Sequence, residues 1–163
     1  MRGTRKGIWL GAVIGIAAAA VLATAGAAGT AATKQRIAIE ERAVSDSPTG
    51  TFKLLPLTTG PLKADSGTAA FLVKRRGTVT ASGQRVTTYA VTETLTGKRG
   101  VIELRAVTKS TDAGGGYLAG SGPWSVTGGT KAYDGLQGGG RESGVLTPRK
   151  VIFTRYEGYV TLP

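Results

Sequence analysis

Three residue types are missing from this chain of 163 residues: cysteine, histidine and asparagine. Without cysteine the chain has no disulfide, no thiolate nucleophile and no cysteine-based zinc site. Without histidine it lacks the commonest general base and the usual metal ligand. Without asparagine it has no acceptor for N-glycosylation. Any chemistry must depend on Asp, Glu, Tyr, Lys, Arg or Ser, and we expect neither a metal site nor a cofactor.

Acidic residues are also scarce, with 10 against 21 lysines and arginines, and the formal net charge is +11. The part after residue 32 holds 18 basic and 10 acidic residues, which leaves a charge of +8 on it. A domain of this charge is attracted to anionic envelope polymers, lipid headgroups or nucleic acid, although simple solubility is an alternative explanation. Since binders of single-stranded nucleic acid need exposed aromatic residues, and those here are expected to face inward, we expect no nucleic-acid partner. The basic runs 74–76, 98–99 and 149–150 would form a cationic rim if their turns lay at one end of the fold.

The first 32 residues have the features of a targeting segment. A positive stretch at 1–6 precedes an uncharged apolar run at 8–22, and A-x-A sites follow at 23–25 and 25–27. These features predict a cleaved signal peptide. The uncharged stretch 7–32 is also long enough to span a bilayer, so an uncleaved N-terminal anchor is the alternative. In both cases we expect the remainder to be secreted, extracellular or held at the cell envelope.

The remainder divides by composition at residue 50. Residues 33–49 are charged and short of large apolar side chains, which predicts a linker or a marginal helix. In residues 50–163, short runs rich in Thr and Val are separated by Gly-rich turns, a spacing typical of an all-β domain. Strands are predicted near 51–57, 67–74, 77–81, 84–96, 100–109, 117–127, 143–147 and 151–162. Closure of this antiparallel sheet would leave no exposed edge strand.

Glycines punctuate the segment 120–140. A Gly-Gly-Thr turn there can adopt positive φ at both glycines. The run 138–140 indicates a bulge or a close approach of two backbones. Together these features predict a corner of the closed sheet. Its motif residues are Gly128, Gly129, Thr130, Tyr133, Gly135 and Leu136.

With Trp124 and Val126, this motif resembles the Gly-Gly-Thr/Ser segment of the allene oxide cyclase and dirigent-like barrels. It is most similar to small secreted bacterial proteins related to them, which have no assigned activity. The resemblance implies a single eight-stranded antiparallel barrel with an apolar interior. The catalytic motifs of the plant enzymes have no counterpart at matching positions, so the resemblance assigns no catalytic residue.

Strand alternation places one carboxyl group among apolar neighbours. Tyr89, Val91, Glu93 and Leu95 share a face of their strand. If that face points inward, Glu93 is a buried carboxyl with a raised pKa and a candidate general acid or base. The alternative is a structural ion pair with a neighbouring arginine.

The last strand carries a second polar group, in which Arg155, Glu157 and Tyr159 share a face. This group would orient a ligand carboxylate or carbonyl, or else form an ion pair on the surface. Trp124 is expected either to pack in the core or to form a stacking wall for an apolar ligand. The candidate ligand-binding residues are Tyr89, Glu93, Trp124, Arg155, Glu157 and Tyr159.

Three functions are compatible with these features. The first is a secreted or envelope-associated barrel that binds a small apolar or amphipathic ligand without catalysis. The second is an isomerase or cyclase resembling allene oxide cyclase. The third is a structural protein of the cell envelope that uses its basic surface against an anionic polymer or a lipid surface. A filled interior would favour the third function, and an open interior one of the other two.

Overall fold

The structure, a computed structural model, describes residues 33–163 apart from the side chain of Ala81. The predicted leader, residues 1–32, lies outside the described residues. The described part is built of eight strands and one short 3-10 turn. They are β1 (Thr33–Val44), β2 (Thr49–Pro56), β3 (Asp65–Ala81), β4 (Gln84–Gly97), β5 (Gly100–Gly114), β6 (Tyr117–Gly129), the turn Lys131–Tyr133, β7 (Gln137–Leu146) and β8 (Val151–Leu162).

The strands form one antiparallel sheet in chain order. Each strand pairs with the next, and β1 also pairs with β8 from Thr33↔Leu162 to Val44↔Val151, so the sheet closes in a ring. The all-β class and the single eight-stranded antiparallel sheet predicted from the sequence are confirmed. No helix within residues 33–163 is long and apolar enough to cross a membrane.

The assignment of residues 33–49 to a linker is wrong, because most of this segment is strand β1. Ile37 and Ile39 are buried on the inner face, whereas Arg36 and Glu40 are exposed on the outer face. The charges that suggested a linker alternate with these buried residues, and alternation of this kind is the pattern of a half-buried strand. β1 is also essential to the ring, since it pairs with both β2 and β8.

Two other predicted boundaries differ from the structure. The segments 67–74 and 77–81 belong to one strand, β3, whose register against β4 shifts between Arg75 and Gly77. One basic run therefore lies at a β-bulge and not at a turn. β7 begins at Gln137, several residues before the predicted start, because the run 138–140 is strand. Side chains at Gly138 and Gly140 would meet the β8 backbone, so the predicted close approach is confirmed.

The apolar core fills one end of the ring, which we call the closed end. Phe52, Leu54, Ile102 and Leu104 are nearly inaccessible to solvent there. The loop between β2 and β3 packs against this end through the buried Gln35 side chain. Its Nε2 donates to the carbonyls of Thr58 (2.9 Å) and Leu62 (3.1 Å), and its Oε1 accepts from the N–H of Leu62 (2.9 Å). Both N–H donors of the Gln35 amide and its oxygen are thus hydrogen-bonded, as is usual for a buried amide.

The Gly-Gly-Thr corner also belongs to the closed end, where it places Tyr133 in the core. The Tyr133 hydroxyl donates to Asp65 Oδ2 at the start of β3 (2.8 Å), and Asp65 accepts further bonds from the N–H groups of Lys98 and Arg99. These bonds tie the corner to β3 and to the β4–β5 turn. Burial favours a higher pKa for Asp65, but the donors around it hold the pKa of this carboxyl below its ordinary value.

The glycines of the corner are required for a different reason from the one the sequence suggested. Neither Gly128 nor Gly129 is among the residues of positive φ, whereas Gly135 has a φ of +71°. A Cβ at Gly129 would instead clash with the carbonyl oxygen of Tyr133. Gly129 is therefore needed for close packing of the turn against the end of β6.

Candidate functional site

The ring encloses a cavity of about 350 Å³ at the end opposite the Gly-Gly-Thr corner. We call this the open end. Small residues replace large ones at inward positions there, among them Ala43, Ser110, Gly120 and Gly144. The remaining wall is mainly apolar. It includes Phe71, Val73, Tyr89, Val91, Leu118, Val145, Leu146 and Ile152.

Three carboxyl side chains, each from a different strand, line this cavity. They are Glu41 of β1, Glu93 of β4 and Glu142 of β7, and we call them the carboxyl triad. Strand alternation turns each of them inward, as it does their neighbours two residues away. Glu93 and Glu142 are only 4% and 3% exposed. Among residues 33–163, no lysine or arginine lines the cavity.

Hydrogen bonds reach only some of the oxygen atoms of the carboxyl triad. The Tyr156 hydroxyl of β8 donates to Glu93 Oε1, and the Thr108 hydroxyl favours the ionised form of Glu142. A proton on either Glu41 or Glu93 would let that carboxyl group donate to the other. Three oxygen atoms are buried with no partner among the described residues. They are Glu41 Oε1, Glu93 Oε2 and Glu142 Oε1.

Burial and mutual repulsion raise the pKa values of the carboxyl triad. Burial, followed by the charge of Glu93, raises the pKa of Glu41 to about 10. Burial also raises the pKa of Glu93, and burial together with the charge of Glu93 raises that of Glu142. The pKa of Tyr156 is raised for the same two reasons, burial and the adjacent Glu93. The empty cavity therefore favours the neutral form of these carboxyl groups, in which each can both donate and accept hydrogen bonds.

Two aromatic residues separate the cavity from the filled core. Tyr156 belongs to both, and the ring of Trp124 meets it edge to face at a centroid distance of 5.8 Å. The Trp124 Nε1 reaches across β7 and donates to the carbonyl oxygen of Glu157 (3.3 Å). The indole ring can cross β7 because its cross-strand partner there is Gly140, which has no side chain to block it. Trp124 thus supports the floor of the cavity without lining it.

The structure brings two of the six candidate ligand-binding residues to the cavity. Tyr89 and Glu93 line it, on the strand face predicted from alternation. The other four do not reach it. Trp124 is buried beneath it, and Arg155, Glu157 and Tyr159 lie on the outer face of β8.

The polar group on β8 is a surface ion-pair network. Glu157 pairs with Arg36 and with Arg155 (3.3 Å), and Arg155 also pairs with Glu40. The hydrogen bond from Arg36 is the main reason that the pKa of Glu157 is lowered. Tyr159 is half exposed, with the Lys34 Nζ 4.6 Å from its ring centroid. The odd-numbered residues of β8 alternate with the inward Thr154 and Tyr156, so they face away from the cavity.

Two members of the carboxyl triad, together with Tyr156, were missed by the sequence analysis. Glu41 lies in the segment taken for a linker, although it continues the inward series of Ile37 and Ile39. Glu142 lies two residues after Gly140, beyond the predicted bounds of its strand. Alternation extended through both segments would have placed these two carboxyl groups on the same strand faces as their apolar neighbours.

The corner motif and the basic runs lie elsewhere. Residues 128–136 are at the closed end and contribute nothing to the cavity wall. The basic runs form no single rim, because residues 98–99 are at the closed end, 149–150 are at the open end and 74–76 lie within β3. Their separation follows from the antiparallel order, in which successive turns alternate between the two ends.

No cluster of three or more acidic side chains suited to hold a metal ion is found in residues 33–163. Comparison with known protein families, with curated proteins and with solved structures finds no match for the chain.

Proposed function

We propose that this chain is a secreted or envelope-associated binding protein, which holds a small amphipathic ligand in the cavity without catalysis. We further propose that its closed sheet is a barrel of the allene oxide cyclase and dirigent-like kind, as the corner motif suggests. The observation that carries the binding function is the cavity itself. It combines a largely apolar wall with a few convergent polar groups, the usual composition of a small-molecule site.

The contrast between the two ends of the ring supports this proposal. Core side chains fill the closed end, whereas small residues at equivalent inward positions leave the open end unfilled. A protein gains stability by filling its interior, since a cavity forgoes contacts that packed side chains would make. A purely structural envelope protein would have no reason to keep the cavity, so a ligand is the simplest explanation for it.

An isomerase or cyclase remains the second candidate, and one observation favours it. Burial raises the pKa of Glu93, which faces the cavity and accepts a hydrogen bond from Tyr156. A neutral carboxyl group beside a hydroxyl is a suitable general acid for an apolar substrate. Turnover that is present in the unmodified chain and lost in Glu93→Gln would favour the enzyme, whereas a binder would show no turnover in either.

Native mass spectrometry of the protein purified from its own host tests the binding function. We expect an added mass from a retained small molecule. The variant Ser110→Trp, which places a large side chain in the cavity, should lose this mass. Thr92→Trp, on the exposed outer face of β4, is the matched control and should retain it.

Uptake of the neutral fluorescent probe prodan provides an independent readout. The unmodified chain and Thr92→Trp should bind the probe with a blue-shifted emission, and Ser110→Trp should not. Equal uptake by both tryptophan variants, or no uptake and no retained mass in any preparation, would show that the cavity is not a binding site.

A further inference from the structure

We infer that the ligand of this cavity is a small primary amine with an apolar body, whose ammonium group is bound by Glu41, Glu93 and Glu142. This inference rests on the proposed binding function and specifies the chemical class of the ligand.

The number of unsatisfied acceptors points to this head group. Each member of the carboxyl triad has one buried oxygen without a partner, and the three residues line the same cavity. A primary ammonium carries three N–H donors and no acceptor. One such group has as many donors as the carboxyl triad has unpartnered oxygen atoms. An alcohol has a single donor, and a carboxylate has only acceptors.

The positions of the cations in the protein lead to the same conclusion. On the outer face, Glu40 and Glu157 are paired with arginines, and the exposed Asp46 is paired with Lys150. The carboxyl triad is much better buried, yet no lysine or arginine lines the cavity in the described part of the chain. Buried acidic groups are normally paired or protonated. An ion pair with the carboxyl triad therefore requires a positive charge on the ligand.

Amine binding would be coupled to the release of protons. The other titratable groups that face the cavity are Tyr89 and Tyr156, and neither is cationic. Burial raises the pKa values of all three carboxyl groups, and an entering ammonium, with its single positive charge, would favour the release of one proton to the solvent. Amine affinity should consequently rise with pH until the amine itself loses its charge, near about pH 10 for an alkyl ammonium.

The test compares hexylamine, hexanol and hexanoic acid, which share an alkyl chain and differ in the head group. Isothermal titration of the full-length chain should show hexylamine binding at least about tenfold more tightly than either of the others, as a charge-assisted hydrogen bond implies. Titration in two buffers of different ionisation enthalpy should show proton release for hexylamine alone. The variants Glu93→Gln and Glu142→Gln should each weaken amine binding about tenfold. Glu103→Gln, on the exposed outer face of β5, is the matched control and should leave it unchanged.

The outcomes separate this inference from the proposed function. If hexanol or hexanoic acid binds as tightly as hexylamine, the cavity is a binding site but the amine assignment is wrong. If none of the three compounds binds and prodan uptake is also absent, the proposed function itself is wrong. Equal amine binding by Glu93→Gln and Glu103→Gln would place the amine on the surface and overturn the inference. The head-group series and the proton release are measured on the unmodified chain, so they decide the question even if a triad variant does not fold.

Discussion

At the scale of single residues, the carboxyl triad makes the stability of the described structure depend on pH. Its members come from three strands that are distant in sequence, and closure of the ring brings them together. Each ionised carboxylate there would lose its hydration without gaining a cation. Protonation avoids this cost. Because the folded chain binds these protons more tightly than the unfolded chain does, the free energy of unfolding depends on pH.

We predict that Glu41→Gln raises stability at alkaline pH. The folded chain holds the Glu41 proton up to about pH 10, whereas the unfolded chain releases it near the ordinary value of 4.5. The stabilising effect of this raised pKa is complete below 4.5 and is lost progressively as the pH rises toward 10. The free energy of unfolding falls by at most about 1.4 kcal/mol for each pH unit in this range. Urea denaturation from about pH 5 to about pH 9 should show a shallower decline for Glu41→Gln than for the unmodified chain.

Glu103→Gln is the control for this measurement, because the exposed Glu103 lies on the outer face. Its stability should follow the same pH profile as the unmodified chain. The carboxyl groups of lowered pKa, such as Asp65 and Glu157, lose their stabilising effect only in acid, below this range. Identical profiles for Glu41→Gln and Glu103→Gln would mean that Glu41 is ionised and solvated in the folded protein.

At the scale of elements, the Gly-Gly-Thr corner holds the closed end together. It positions Tyr133 in the core and, through the hydroxyl of that residue, reaches Asp65 at the start of β3. The 3-10 turn can pack against β6 only because Gly129 has no side chain. The corner is therefore determined by steric fit more than by backbone dihedral angles.

We predict that Gly129→Ala lowers the free energy of unfolding by about 1–3 kcal/mol, the usual cost of overpacking. Its new methyl group would clash with the Tyr133 carbonyl oxygen, and a backbone atom cannot move away as a flexible side chain can. Gly77→Ala is the matched control, since a Cβ there meets no atom within 4 Å and its φ is not positive. Thermal denaturation should leave Gly77→Ala unchanged or slightly stabilised. A melting temperature for Gly129→Ala equal to that of Gly77→Ala would exclude this account of the corner.

At the scale of the whole described part, the first and last strands complete the ring. β1 and β8 pair along the full length of both strands, so the sheet has one continuous ladder and one core. A closed sheet of this kind cannot lose one strand without opening two edges. We therefore expect the filled closed end and the hollow open end to unfold together.

We predict a single unfolding transition in urea, detected equally by tryptophan fluorescence and by far-ultraviolet circular dichroism. The variant Trp9→Phe makes Trp124 the only tryptophan. Trp124 lies between the core and the cavity and so reports on both. Separate midpoints for the two signals would show that the two ends of the ring unfold independently.

The sequence alone determined the fold class and the inward face of β4. These depend on local signals, namely alternation with a period of two and glycines between short runs, and neighbouring residues suffice to produce them. The eight predicted strands nevertheless equalled the true number only because the division of β3 into two strands compensated for the omission of β1. Charge obscured the alternation in β1, and the β3 bulge interrupted a regular pattern.

Only the tertiary structure decided the candidate site. Glu41, Glu93 and Glu142 are far apart in the chain, and no local pattern shows that they share a cavity. The direction in which Glu157 points likewise depends on which face of β8 the ring encloses, and both faces of that strand carry aromatic residues. A strand sequence defines two alternating faces, but closure of the sheet decides which one becomes the interior. The cavity, its unpaired acceptors and its raised carboxyl pKa values are consequences of that closure.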